Sequence, residues 1–313
     1  VNPHSNINKY VRNCASIAAL LEVSAYPKPG NIHRLNDFPS TCYEHFLAGG
    51  VALGTVMGEI AERSSLSKDW SDIRLGEGVK NAVGDMLSWQ TGGNIHLGVI
   101  LLFVPLSAGA GATLSKVDFN CDLLREYTYK IISKADSKDS VNIYTAIDLA
   151  MSKDILGSVD KLDIKDKNSK KMITNENITP LEIFEVCKDR DLICREWVTG
   201  FSIVFETGYP YLAERIADGA NINNATVDTF LKILAENPDS LITRKSGGKS
   251  AEYVSQKAQS ILEMGGTSNE IGINMIWSFD KELRKEKGRL NPGTSADLTA
   301  ASLYILLLSG WRP

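Results

Sequence analysis

Two stretches of the chain, Gly30-Asn31-Ile32-His33 and Gly93-Asn94-Ile95-His96, spell the same four letters. A third stretch of the same character, Asn291-Pro292-Gly293-Thr294-Ser295-Ala296-Asp297, runs into the apolar residues 298–308. Each sets glycine and small polar residues at a turn or helix start with an ionisable group beside them. Such openings present free backbone N–H groups and the positive end of a helix dipole, which suit a phosphate or carboxylate. One of them alone is a cap or a turn. Three in one chain fit either separate caps and turns or loops and helix starts converging on a polar, phosphate-bearing ligand.

The ionisable side chains narrow this. Glu22 falls on or near the buried stripe of an early helix, and Asp297 opens the last apolar helix. Glu196 stands between Arg195 and Trp197, and Glu206 follows Phe205. An acid among apolar neighbours must be paired, protonated or bound to a metal, because burying it alone is expensive. Only His33 and His96 occur in glycine-rich polar settings; His45 reads as core-facing or capping. No ligand spacing supports zinc, and hard oxygen ligands suit Mg²⁺ bridging phosphates better. Arg244, Lys245 and Lys249 form a basic patch beside Gly247-Gly248. That patch ends like a phosphate-binding P-loop, but Thr243 stands where the leading glycine belongs and no strand precedes it.

The elements that must carry these groups read as helices. Apolar positions recur at three and four from about Tyr10 to Ser24, and further helices are expected over about 43–63 and 72–88. Asn94 should cap the segment that starts at Leu97, with His96 in its first turn. That segment is uncharged to Leu114 and contains Pro105, so a buried helix that kinks or ends near the proline is expected, with no membrane span. Helices continue over 118–134 and 142–151, with a polar break over 135–140. Pro180 starts another, followed by 192–207, 209–217, 224–236, 252–264, 271–286 and 297–309. The segment Tyr26-Pro27-Lys28-Pro29-Gly30 cannot be helical and holds Lys28, Asn31, His33 and Arg34 on a rigid loop. Residues 158–177 are dense in Lys and Asp and read as a charged surface excursion. No period-two alternation persists. The expected fold is all-α: one large multi-helix globular bundle, a single helical domain over 1–313, with a buried central helix.

Composition sets the outer limits. A net charge of −4 argues against nucleic acid or an anionic membrane as the main partner, though a local basic cluster can still hold a small anion. The five cysteines form no C-x-x-C pair, and an odd count fits free thiols in a reducing, cytoplasmic compartment, with Cys14 and Cys187 in apolar helical patterns. The opening Val1-Asn2-Pro3-His4 lacks a signal-peptide form.

At these residues the chain resembles the triphosphoribosyl-dephospho-CoA synthase family, the ATP:dephospho-CoA triphosphoribosyl transferases. The resemblance lies in Glu22-Val23…Pro27-Lys28-Pro29-Gly30, Gly92-Gly93-Asn94-Ile95-His96-Leu97-Gly98, Asp239-Ser240-Leu241-Ile242-Thr243-Arg244-Lys245 and Asn291-Pro292-Gly293-Thr294-Ser295-Ala296-Asp297-Leu298. These segments stand in family order across nearly the whole chain. The resemblance implies an all-helical enzyme that joins ATP to 3′-dephospho-CoA, releases adenine and forms 2′-(5″-triphosphoribosyl)-3′-dephospho-CoA, with Mg²⁺ accompanying ATP. Glu22 and Asp297 are then the expected acid/base or metal-linked groups, with His96 as a phosphate donor. Lys28, Gly30, Asn31, His33, Arg34, Gly93, Asn94, Arg244, Lys249, Gly293 and Thr294 are the expected binding positions. Two departures mark a divergent member: Ser152-Lys153-Asp154-Ile155-Leu156-Gly157 replaces a glycine-rich family segment, and Thr294 replaces a second glycine. A ribosyl hydrolase using water, a transferase using another acceptor and a non-catalytic helical binding protein are the competing readings. A homodimer is left open.

Overall fold

A computed structural model describes residues 6–151 and 168–313. The replaced segment 152–157, His4 and the part of the charged excursion over 158–167 lie outside the described residues.

The fold is all-α. The first half comprises α1 (Ile7–Ser24), α2 (Tyr43–Leu66), α3 (Leu75–Ser88), α4 (Leu97–Leu114), α5 (Cys121–Ile132), α6 (Ser137–Ala150), α7 (Ser169–Asn175) and α8 (Pro180–Cys187). The second half comprises α9 (Leu192–Thr199), a π-helical segment Ile203–Gly208, α10 (Tyr209–Ala217), α11 (Ile222–Glu236), α12 (Ser240–Ser246), α13 (Gly248–Glu263), α14 (Glu270–Arg284) and α15 (Gly293–Leu308). Among the described residues there is no sheet, only the isolated bridges His33–Asn36 and Phe38–Thr41 in the loop after α1.

Two apolar helices, α4 and α15, form the axis. They pack on each other, with α1, α2, α5 and α9 around α4 and with α1, α10 and α11 around α15. Neither helix has a polar face to give to water, so each is buried by its neighbours rather than by a bilayer; α4 is 94% buried. A second apolar cluster between α11, α13 and α14 reaches α15 through Ala296.

Helix α4 runs through Pro105 instead of ending there. A proline at 105 has no N–H for the Leu101 carbonyl four residues earlier. Trp197 of α9 supplies the missing donor, its indole Nε1 reaching the Leu101 oxygen at 2.9 Å.

Three other departures from the sequence expectation have equally local causes. The expected break at 135–140 is a helix start, because Asp136 accepts from the Lys138 and Asp139 amides and Asp139 returns a bond to the Asp136 amide. The expected helix 192–207 is interrupted at Gly200 and Phe201, both left-handed. The carboxylate of Glu196 caps the π-helical segment beyond that break, accepting from Ile203 and Val204 at 2.8 and 3.0 Å. Within the expected charged excursion, residues 169–175 are the short helix α7, whose Ile173 is buried. The cysteines also differ from expectation. Cys187 and Cys194 are joined as a disulfide between α8 and α9, with Cα atoms 5.9 Å apart, while Cys14, Cys42 and Cys121 are free.

Candidate active site

The N-termini of the two axial helices meet at one cavity of about 940 Å³. In α4 every residue is buried except Gly98, and in α15 the residues not fully buried are Gly293 and Asp297. All three line the cavity. The open positions of these helices are therefore the ones that face it. Gly98 is required there: a Cβ at that position would come within 2.0 Å of Asp297 Oδ2, so the acid lies directly against the first turn of α4. The two helix starts aim their positive ends at the same space.

Asn94 caps α4 as its sequence suggests, its Oδ1 accepting from the Leu97 amide at 3.1 Å. His96 lines the cavity with one ring nitrogen already engaged. Its ring is buried against Phe46, and its Nε2 lies 3.1 Å from the Phe46 carbonyl oxygen. A carbonyl can only accept, so Nε2 carries the proton and Nδ1 is left as an acceptor. Burial pushes the His96 pKa down to about 4, so the ring is neutral near pH 7. The ring fits because α2 offers Gly49 beside it, where a Cβ would stand 3.0 Å from His96 Cδ2.

The floor of the cavity carries the acids. Glu22, on the inward face of α1, is paired with Lys28, and both are buried. Burial raises the Glu22 pKa and lowers that of Lys28, each opposed by the other's charge. The pairing explains how a fully buried lysine is tolerated on the Pro-Lys-Pro loop. Asp297 is stabilised less. Burial pushes its carboxyl well above the usual range, the charges of Glu22, Asp239 and Asp191 push it further, and Lys28 opposes. Among the described residues Asp297 has no hydrogen-bond partner. The floor thus holds a lysine-paired carboxyl beside an unpaired one whose pKa burial and neighbouring acids raise.

The loop after α1 divides its groups between the cavity and its own support. Asn31 lines the cavity and donates to Asn291 Oδ1 at 3.0 Å. Gly30, at φ +72°, turns the chain so that its amide reaches Asp280 Oδ1 at 2.9 Å. His33 is buried behind the loop, with Nε2 3.8 Å from Asp280 Oδ2, and burial lowers its pKa. Arg34 faces outward, 4.2 Å over the Tyr26 ring. Lys28, Gly30, His33 and Arg34 accordingly do not line the cavity; Lys28 touches it through Glu22.

The basic wall comes from α12. Asp239 caps that helix through Leu241 and Ile242, while its other oxygen accepts from the Ser295 amide and hydroxyl at 2.8 and 2.9 Å. One buried carboxylate therefore fixes α12 against the start of α15. Arg244 and Lys245 line the cavity as a result, as do Gly93, Asn94, Gly293 and Thr294, whereas Lys249 is exposed and does not. Sequence reasoning missed Asp191, which caps α9 and lies 3.6 Å from Arg244, and, although it singled out the stretch that Asn291 opens, it did not pair Asn291 with Asn31. The Asp191 cap ahead of an apolar stretch was a readable signal; its pairing with Arg244 was not. Glu206, by contrast, is a surface residue paired with Arg125.

Fold and site together define an all-α protein with a cavity large enough for nucleotides, basic on one wall and acidic at its floor. The chain belongs to the family described as CitG, ATP:dephospho-CoA triphosphoribosyl transferase, which matches residues 8–313. It is 26% identical over 221 residues to a Salmonella gallinarum protein assigned as a 2-(5''-triphosphoribosyl)-3'-dephosphocoenzyme-A synthase, covering 71% of this chain. The match spans 63% of that relative's length. An Escherichia fergusonii 2-(5''-triphosphoribosyl)-3'-dephosphocoenzyme-A synthase is 32% identical over 107 residues, 34% of this chain and 35% of the relative. Among solved structures, an Archaeoglobus fulgidus chain assigned as a triphosphoribosyl-dephospho-coA synthase superposes with a TM-score of 0.66 at 28% identity. That superposition covers 86% of this chain and all of the other.

Proposed function

We propose that the protein transfers the triphosphoribosyl group of ATP to the 2′-hydroxyl of 3′-dephospho-CoA, releasing adenine. The observation that carries this reading is the pair of floor carboxyls, Glu22 held by Lys28 and Asp297 without a partner and with its pKa raised, where the two axial helices start. Two acids in unlike environments suit a reaction that needs both a base and an acid.

The bond between C1′ of ATP and the adenine nitrogen breaks as the bond from C1′ to the acceptor oxygen forms. Asp297 gives its proton to the departing adenine, and Glu22 receives the proton of the acceptor hydroxyl. Proton transfer from Glu22 back to Asp297 restores both. Arg244, Lys245 and the α4 and α15 amides hold the triphosphate, whose negative charge favours the cationic character developing at C1′. Among the described residues there is no cluster of three metal-ligating side chains. Mg²⁺ needs none of that kind, since one or two carboxylates plus substrate phosphates suffice. Glu22, through the oxygen that Lys28 leaves free, would be such a donor, and the ion would supply neutralisation of the triphosphate.

The test is incubation with ATP and Mg²⁺, with and without dephospho-CoA, reading adenine and product mass. Adenine release that requires dephospho-CoA and yields the joined product is expected. Release at the same rate without it would mean that water is the acceptor, and no release would leave a binding protein.

A further inference from the structure

The cavity has a second end that the acid/base floor leaves unused. Every lining residue contributed by α6 and α8 is uncharged. On α6 the lining positions Ile143, Ile147 and Ala150 recur at four and three, and on α8 Ile183 and Val186 are three apart. Each short helix therefore turns one apolar stripe inward. Ile193 continues the wall on α9, and the Cys187–Cys194 disulfide ties α8 to α9 there. Val186 is 57% exposed although it lines the cavity, so the arm opens to solvent at that lip.

The arm adjoins the basic wall. Asp191, the cap of α9, pairs with Arg244, which brings the α12 cation to the turn between α8 and α9. A ligand with phosphates at Arg244 would therefore meet the Arg190–Asp191 turn and, past it, the uncharged faces of α8 and α6. The volume agrees: about 940 Å³ lies near the top of the range of roughly 300–1,000 Å³ for ligand pockets, which leaves room for an extended ligand.

We propose that the α6–α8 arm is a specificity-determining subsite for the uncharged, flexible chain of the acceptor, the pantetheine portion that follows its diphosphate. This rests on the acceptor reading above. The floor selects for a ribose hydroxyl beside phosphates, which ATP and ADP also carry. The apolar arm distinguishes an acceptor with a long uncharged extension from those nucleotides.

The test compares dephospho-CoA with ADP, which lacks the extension, as acceptors in the wild type, Ala150→Trp and Val186→Asp. Ala150→Trp fills the arm; Val186→Asp puts a charge at its exposed lip, where folding is not at stake. In each variant the ratio of kcat/KM for dephospho-CoA to that for ADP should fall at least ten-fold, mainly through KM. Calorimetry with 4′-phosphopantetheine gives a readout independent of turnover, with binding to the wild type and at least ten-fold weaker binding to Ala150→Trp. Equal losses for both acceptors, a loss expressed in the KM for ATP, or no binding of 4′-phosphopantetheine to the wild type would overturn the subsite. Absence of adenine release alongside arm-dependent binding of 4′-phosphopantetheine would overturn the proposed reaction and leave the subsite standing.

Discussion

Carboxylates are buried at the break after α9 and at the junction of α12 with α15, and they also stand at the cavity floor, yet in a different state. Glu196 accepts from two backbone amides, and Asp239 from three amides and a hydroxyl. Their oxygens are saturated by fixed donors, and they brace the chain. At the floor Glu22 has one partner, the flexible end of Lys28, and Asp297 has none among the described residues. Burial raises the pKa of all four acids, so the shift alone does not separate brace from reactive group. Unfilled acceptor capacity facing an open cavity does.

Substitutions should split along that line. Glu22→Gln keeps an acceptor for Lys28 but no longer takes a proton, so adenine release should fall by roughly 10²–10⁴ in a folded protein. Wild-type turnover with intact far-ultraviolet circular dichroism would place Glu22 with the braces. Asp239→Ala should act the other way. Leaving buried donors on both α12 and α15 unpaired should cost at least about 3 kcal/mol of unfolding free energy, read by urea denaturation. Activity per folded molecule should fall less than in Glu22→Gln.

Titration sharpens the same contrast. For Asp297 the folded pKa lies above the unfolded one, so the folded state binds more protons in that window. Its contribution to stability is complete below the ordinary carboxylate pKa and is lost as pH rises toward the folded value. Asp297→Asn removes that slope, so its stability relative to wild type should improve from pH 4.5 to 7.5. For His96 the sign is reversed: with a folded value of about 4, stability is complete above pH 6.5 and falls as pH drops. The loss is up to about 3 kcal/mol by pH 4 and should be absent in His96→Gln. The smallest effect is expected at Trp197→Phe, which leaves the Leu101 carbonyl without a donor and should cost about 1–3 kcal/mol. A neutral result would mean that the Pro105 gap in α4 is tolerated without the indole.

Much of this is legible in sequence because it is local. The apolar stretches 97–114 and 298–308, the Asn94 cap and the repeated Gly-Asn-Ile-His element all point to buried helices opening on a polar site. The features that sequence leaves open depend on partners far along the chain. His33 and His96 share a motif, yet one is held against Asp280 behind the loop and the other rests on the Phe46 carbonyl. Lys249 and Lys245 are four residues apart, yet only Lys245 lines the cavity, since Asp239 fixes where α12 points. Glu196 reads in sequence as a candidate site acid because the helix break it caps does not show in the apolar pattern. The apolar arm is equally hidden, its stripes on α6 and α8 reading as ordinary core.

The most direct test of the floor is single-turnover adenine release from ATP by Asp297→Asn in the presence of dephospho-CoA. A rate at least 10²-fold below wild type, with ATP still bound, is the predicted result. Release at the wild-type rate would contradict the assignment of Asp297 as the acid.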